Sequence, residues 1–274
     1  MAPGALLGKY DPDGNEIWVK PFTSFLGSNK FIGIYTLRYH DGHLFGHGPA
    51  AMVLANDTTT VDTIQIIGRQ GQGYVVASID PVTGIAEWCR LDGFPNGTSG
   101  PESMDVDASG NIFCSGTFVT SAIFDMDTLA TSTAYAKGYL TKYTPVGVRV
   151  FSRAYEGSDS FGFRGLDVTP SGSLGLTGSL RGQIEMNGAT YTALTDNDMF
   201  VSLHNSDGDA IGMINAGVGH GSSVRVEGNG ILVCGQFSAF SFSGLPITIG
   251  DDTYQTHGLE DIFLAKHDVI TSTP

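Results

Sequence analysis

Apolar and polar residues alternate with a period of two along most of this chain, and the alternation stops at turns rich in Gly, Asp, Asn and Pro. That rhythm predicts short strands rather than helices. Four stretches share an alternating strand that ends in a turn: LGKYDPDG from Leu7, VVASIDPVTG from Val75, YLTKYTPVG from Tyr139 and FVSLHNSDG from Phe200. A fifth, IFLAKHD from Ile262, lies near the end. With Lys9, Ser78, Lys142, Leu203 and Lys266 taken as equivalent, the spacings are 69, 64, 61 and 63 residues. Recurrence at this period is the signature of a repeat protein.

A second marker lies between these strands. YTLRYHDGHLFGHG, MDVDASGNIFCSG, LDVTPSGSLGLTG and VRVEGNGILVCG each carry a turn glycine followed by a closing glycine. The pairs are Gly42 and Gly48, Gly110 and Gly116, and Gly172 and Gly178; the fourth, Gly230 and Gly235, is one residue shorter. Glycine at the turn permits positive φ, and glycine within a strand lets another backbone approach. Asn187-Gly188 adds a hairpin signal of type I′.

Each repeat of about 64 residues therefore offers four or more strands, with an apolar face that must be covered by a neighbour. The expected fold is all-β: a single β-propeller domain over residues 1–274, since radial stacking leaves only short edges. Its repeats are placed at about 5–72, 73–137, 138–198 and 199–268. The last strand lacks a following partner, and Glu16-Ile17-Trp18-Val19 supplies one at the other end. Pairing of the N- and C-terminal strands is expected to close the ring, leaving strand Leu7–Tyr10 over. A linear β-solenoid is the second choice.

These residues resemble the bacterial SBBP-type β-propeller repeats. The resemblance rests on Lys9-Tyr10-Asp11 with Trp18, on Val106-Asp107 with Gly110-Asn111 and Gly116, on Lys142-Tyr143, and on Asp261-Ile262-Phe263 with Lys266-His267-Asp268. Asp41-Gly42-His43 stands where Gly-Asn belongs, and His204 replaces Tyr. The resemblance implies a propeller serving as a binding or scaffold module in secreted, surface or assembly-associated proteins.

Composition narrows the partners. The chain has 274 residues, of which 41% are hydrophobic and 15% charged, enough for a substantial core. A formal charge of −14 repels phosphate backbones and excludes a nucleic-acid partner from the expectations. Three cysteines, Cys89, Cys114 and Cys234, are no disulfide framework and are expected as free thiols. The first residues show neither a basic nor a long apolar region, so no signal peptide is expected. No apolar run approaches the roughly 20 residues that span a bilayer, so membrane insertion is not expected.

Candidate chemistry is sparse. Asp11-Pro12-Asp13-Gly14-Asn15 offers oxygens at alternate positions, as a calcium loop does, but lacks the glycine and glutamate spacing of an EF-hand. Its equivalents in the other repeats are ordinary turns. His40, His43 and His47 form the one histidine cluster, with His43 and His47 on one strand face, and could seed a zinc or nickel site. The acid pairs Asp105/Asp107, Asp125/Asp127 and Asp251/Asp252 read as turn caps before they read as a glycosidase pair. Trp18, Trp88, Phe151 and Tyr191 read as packing aromatics before sugar platforms.

The expected function is non-enzymatic: a scaffold or binding propeller for protein partners, either in a phage virion or tail or as a bacterial surface adhesion module. It needs no cofactor, with calcium as the one alternative, and it allows oligomerisation. The different-class alternative is a lectin with a glycan site on each blade, or more remotely a glycan hydrolase or lyase. Divergent loops (LDGFPNGTSG, RAYEGSDSFG, NAGVGHGSS) favour one asymmetric interface over four like sites.

Overall fold

The structure is a computed structural model. It describes residues 6–21, 31–52, 58–67, 71–94, 100–125, 127–131, 133–195, 197–228, 230–238, 247–249, 252–255 and 260–268. Among these residues the chain is all-β, with 26 strands and no helix. Contacts divide it into two compact units, Met1–Cys114 with Phe118–Ala134 and Thr141–Ser152, and Ser115–Thr117 with Tyr135–Leu140 and Arg153–Pro274.

The first unit opens with a hairpin, β1 (Leu6–Tyr10) and β2 (Glu16–Pro21), paired antiparallel from Leu6↔Pro21 to Tyr10↔Glu16. A short β3 (Phe31–Ile32) follows. Then β4 (Thr36–His40) and β5 (His43–Met52) turn about Asp41-Gly42, whose φ values of 43° and 85° are those of a type I′ turn. A separate hairpin, β6 (Thr58–Val61) and β7 (Ile64–Ile67), precedes β8 (Gly71–Ile79) and β9 (Ala86–Phe94). Strands β4, β5, β8 and β9 pair antiparallel in that order within a seven-stranded sheet, in which β3 also pairs with β5 and a later hairpin, residues 121–130, adds onto β9 through Ile123↔Gly93.

The same strand order recurs in the next two sheets, and the last sheet keeps its first three strands. In residues 101–155 the sheet is β10 (Pro101–Val106), β11 (Ile112–Phe118), β14 (Lys137–Tyr143) and β15 (Arg149–Tyr155), with the hairpin β12 (Ser121–Phe124) and β13 (Asp127–Ala130) inserted at its middle. Within the second unit, β16 (Phe161–Val168), β17 (Leu174–Leu180), β20 (Asp198–His204) and β21 (Ala210–Val218) form the next sheet. Its inserted hairpin is β18 (Gln183–Met186) and β19 (Ala189–Thr192). The last sheet has three strands, β22 (His220–Glu227), β23 (Gly230–Ser238) and β26 (Glu260–Asp268), with β24 (Ile247–Ile249) and β25 (Asp252–Tyr254) inserted. Each sheet thus begins about halfway through a repeat as drawn on the sequence, because the chain pairs locally across its short Gly turns.

The expected pairing of the N- and C-terminal strands does not form. Strand β2 pairs with β1, and among the described residues β26 pairs with β23 alone. The Asp11–Asn15 turn closes β1 on β2 over a few residues, at far less loop entropy than strands separated by most of the chain. Strand Leu6–Tyr10 is therefore no leftover. It is the antiparallel partner of β2.

The closing glycines have the role their spacing predicts. A Cβ on Gly48, Gly178 or Gly235 would lie 2.2, 1.9 or 2.0 Å from the carbonyl oxygen of Gly33, Gly162 or His220. Gly42, Gly110 and Gly172 hold positive φ as expected, but in the last sheet Gly228 takes that conformation instead of Gly230. Central strands are buried on both faces, as β8 shows from Gly73 to Ile79. In the first unit Leu7 of β1 joins Ile32, Ala50, Val75, Ala77 and Ile79, with Trp18 packed against them. In the second, Met199 and Val201 pack on Val224, Ile231 and Val233.

Candidate functional site

The histidines do not converge. His40 and His43 face each other across the turn, but His43 Nδ1 is held 2.7 Å from Glu87 Oε2 and its ring stacks on Phe45. His47 lies two strand residues beyond Phe45, roughly 13 Å along the strand from His43. It is buried at 1% exposure, edge-on to Tyr74, with Nε2 unpartnered. Burial alone pushes its pKa down to about 3. Among the described residues no three His, Cys, Asp or Glu side chains form a metal-holding group.

Asp11 spends its carboxylate on its own turn. Oδ1 accepts from the Asp13 and Asn15 amides at 3.0 and 2.8 Å, and Oδ2 accepts from Asn15 Nδ2 at 2.9 Å. The Asn15 bonds hold its pKa below the usual carboxylate value. Asp107 repeats this geometry with Ser109 and Asn111, and Asn205 does so through Asp207 and Asp209. Asp13 is exposed and joins no other carboxylate. The arrangement is an Asx turn, with no convergent oxygens for calcium.

The acid pairs are also tied up. Asp105 accepts from Arg38 Nε at 2.8 Å, and Asp127 lies 2.6 Å from Arg149. Asp125 lies 3.9 Å from Arg90. Asp251 lies outside the described residues. Cys89, Cys114 and Cys234 are free thiols; burial pushes the Cys89 and Cys114 pKa values up. Trp88 donates its indole N–H to Pro145 O at 3.0 Å, as a packing aromatic does.

Sequence reasoning missed one buried polar network. Tyr143 donates to Asp92 Oδ2 in a short bond, the Tyr74 and Tyr143 hydroxyls lie 2.7 Å apart, and Asp92 Oδ1 accepts from the Asp125 amide at 2.8 Å. Burial raises the Asp92 pKa. Tyr143 carries the only prior signal, as the Tyr of its Lys-Tyr pair; Asp92 has no motif. The neighbouring cleft at Gly73 and Gly93 is too narrow to admit water, so the network is part of the core.

The open surface lies on the last sheet. The positions of Ile262 and Leu264 in β26 are filled in the preceding sheet by Met199 and Val201, in β14 by Gly138 and Leu140, and in β8 by Tyr74 and Val76, all buried. Ile262 is 88% exposed and Leu264 77%. A groove of about 760 Å³ runs beside them, lined by Phe237, Tyr254, Gln255 and Lys266 among others. In the third sheet this face is covered by β22, β23 and β26. On β26 nothing among the described residues covers it.

The sequence matches no protein-family model, and no curated protein shows significant similarity to it.

Proposed function

We propose that the chain is a non-enzymatic scaffold or binding protein whose four sheets are the blades of a β-propeller of the SBBP-repeat kind. It serves protein partners as a structural component of a phage virion or tail, or as an adhesion module at a bacterial surface. One observation supports this reading: a single strand order, with a hairpin inserted at its middle in the sequence, occurs in three sheets and, without its fourth strand, in a last one, while the polar residues around it are spent on turns and ion pairs. Repetition of this kind makes a rigid frame for interfaces. The acidic charge of −14 suits a basic protein surface and not a phosphate backbone.

The lectin alternative requires like loops on each blade. The corresponding turns use Asp11, Asp80, Thr144 and Asn205, chosen for backbone capping and sharing no sugar-binding set. Two measurements separate the readings. On a glycan array the purified protein is expected to bind no sugar family saturably, and cross-linking in the native host is expected to return structural proteins of one assembly. Saturable binding to several related sugars, with no protein cross-links, overturns the scaffold reading.

A further inference from the structure

We infer that Asn187-Gly188 is a self-modification site, at which the chain deamidates itself and so loosens the β18–β19 hairpin from β21. The inference goes beyond the scaffold reading and does not depend on what the protein binds.

The two residues are the exposed tip of the hairpin. Their φ values are 51° and 73°, and a Cβ built on Gly188 would meet nothing within 4 Å. No side chain of its own and no neighbour crowds the Gly188 position, and the tip stands in water, the second reactant. Among the described residues, Asn15, Asn111, Asn197, Asn205 and Asn215 each precede a residue with a side chain; Asn187 alone precedes glycine.

The chemistry balances with water as the one co-reactant. The Gly188 nitrogen attacks Cγ of Asn187. A C–N bond forms to Cγ, the bond from Cγ to Nδ2 breaks, and the Gly188 proton leaves with Nδ2 as ammonia. Water then opens the cyclic imide at either carbonyl. One opening leaves aspartate; the other leaves isoaspartate, with the backbone running through Cγ.

The consequence follows from what the Asn187 amide holds. Its Nδ2 donates to Ile211 O at 2.8 Å. Two further bonds tie the hairpin to β21: the Met213 amide donates to the Tyr191 hydroxyl at 3.2 Å, and Asn215 Nδ2 donates to Thr192 O at 3.0 Å. Ile184 and Met186 anchor β18 in the core. A carboxylate at position 187 is ionised at neutral pH, has no hydrogen to give and repels the Ile211 carbonyl. Aspartate still suits the type I′ turn, so that product loosens the tip and spares the strands. Isoaspartate lengthens the backbone inside the turn and disturbs the Met186↔Ala189 register as well. The bond to Ile211 is also the brake, because the carboxamide must leave it to reach the Gly188 nitrogen.

Peptide mapping tests this. Native protein is held at mildly alkaline pH and sampled over time beside a urea-unfolded reference. The tryptic peptide 182–225 contains Asn187, Asn197, Asn205 and Asn215. In the native protein Asn187 is expected to gain the mass of an acid over an amide ahead of the other three, with aspartate and isoaspartate forms eluting separately. In Asn187→Asp, which keeps the turn, amide hydrogen exchange over Gly188–Thr192 is expected to quicken while β17 and β20 keep wild-type protection. A native Asn187 that retains its amide after the unfolded chain has lost it overturns the inference. So does earlier conversion of Asn197, Asn205 or Asn215, and so does a hairpin in Asn187→Asp that exchanges as in wild type.

Discussion

Gly84 and Gly147 occupy the same place in successive turns, and both lie beneath an indole. Their φ values are 70° and 76°, and a Cβ on either would sit 2.9 or 2.8 Å from the ring of Trp18 or Trp88. The neighbouring proline carbonyls are bonded across the same junctions, Pro81 O by Lys9 Nζ at 2.9 Å and Pro145 O by Trp88 Nε1 at 3.0 Å. One residue type answers two demands here, a left-handed backbone and a flat seat for an aromatic. Gly147→Ala is expected to destabilise the protein by about 2–4 kcal/mol, combining left-handed strain with overpacking against the ring. Urea denaturation measures this; a midpoint unchanged from wild type would show that the indole moves aside at no cost.

At the scale of elements, several turns between strands are fastened by one short polar side chain, at Asp11, Asp80, Asp107, Thr144, Thr169 and Asn205. Asp107 and Asp11 form the same bonds, but Asp107 is 6% exposed whereas Asp11 is only half-buried. Removing the carboxylate strands two backbone amides in the first case and hands them to solvent in the second. Asp107→Ala should therefore cost about 1–3 kcal/mol, and Asp11→Ala distinctly less, when the two are compared by chemical denaturation. Equal effects would contradict the burial argument. The main strands, the glycine turns and the Asn187-Gly188 hairpin were legible because each writes a period or a dipeptide into the sequence; at Asn187 and Gly188 φ is positive in both residues, as type I′ demands. The other inserted hairpins were not legible. Between β6 and β7 the left-handed position is taken by Asp62 at φ 51°, which carries no Asn-Gly signature and whose carboxylate caps the Ala86 amide at 2.7 Å. The histidine cluster misled for a related reason. Strand alternation puts His43 and His47 on one face but also interposes Phe45, and it says nothing of which end is buried.

For the molecule as a whole, acid is the condition that presses hardest. His47 is held down to about 3 and His204 to about 4, both chiefly by burial. The unfolded chain takes up a proton on each as the pH falls through about 6.5, and the folded chain resists until much lower pH. Stability is thus full above pH 6.5 and declines below it, by about 1.4 kcal/mol per pH unit for each imidazole. Asp92 acts in the opposite sense, since its raised pKa favours the folded state at low pH. Unfolding free energies measured between pH 7 and 5 should show the decline, and His47→Phe should flatten it by one proton. The expected ring closure failed at this scale because the sequence shows which strands are alike and not which of two like strands wins a partner; β1 and β26 are the same strand of the repeat, and β1 lies next to β2.

The indole-on-glycine seats have a practical consequence. Trp18 and Trp88 are the only tryptophans in the chain, and both belong to the first compact unit. Tryptophan fluorescence, excited where tyrosine does not absorb, is therefore a private signal from that unit, while far-ultraviolet dichroism sums over every strand. Superimposing the two melting curves reveals whether the halves of the chain melt together or in succession, with no label attached.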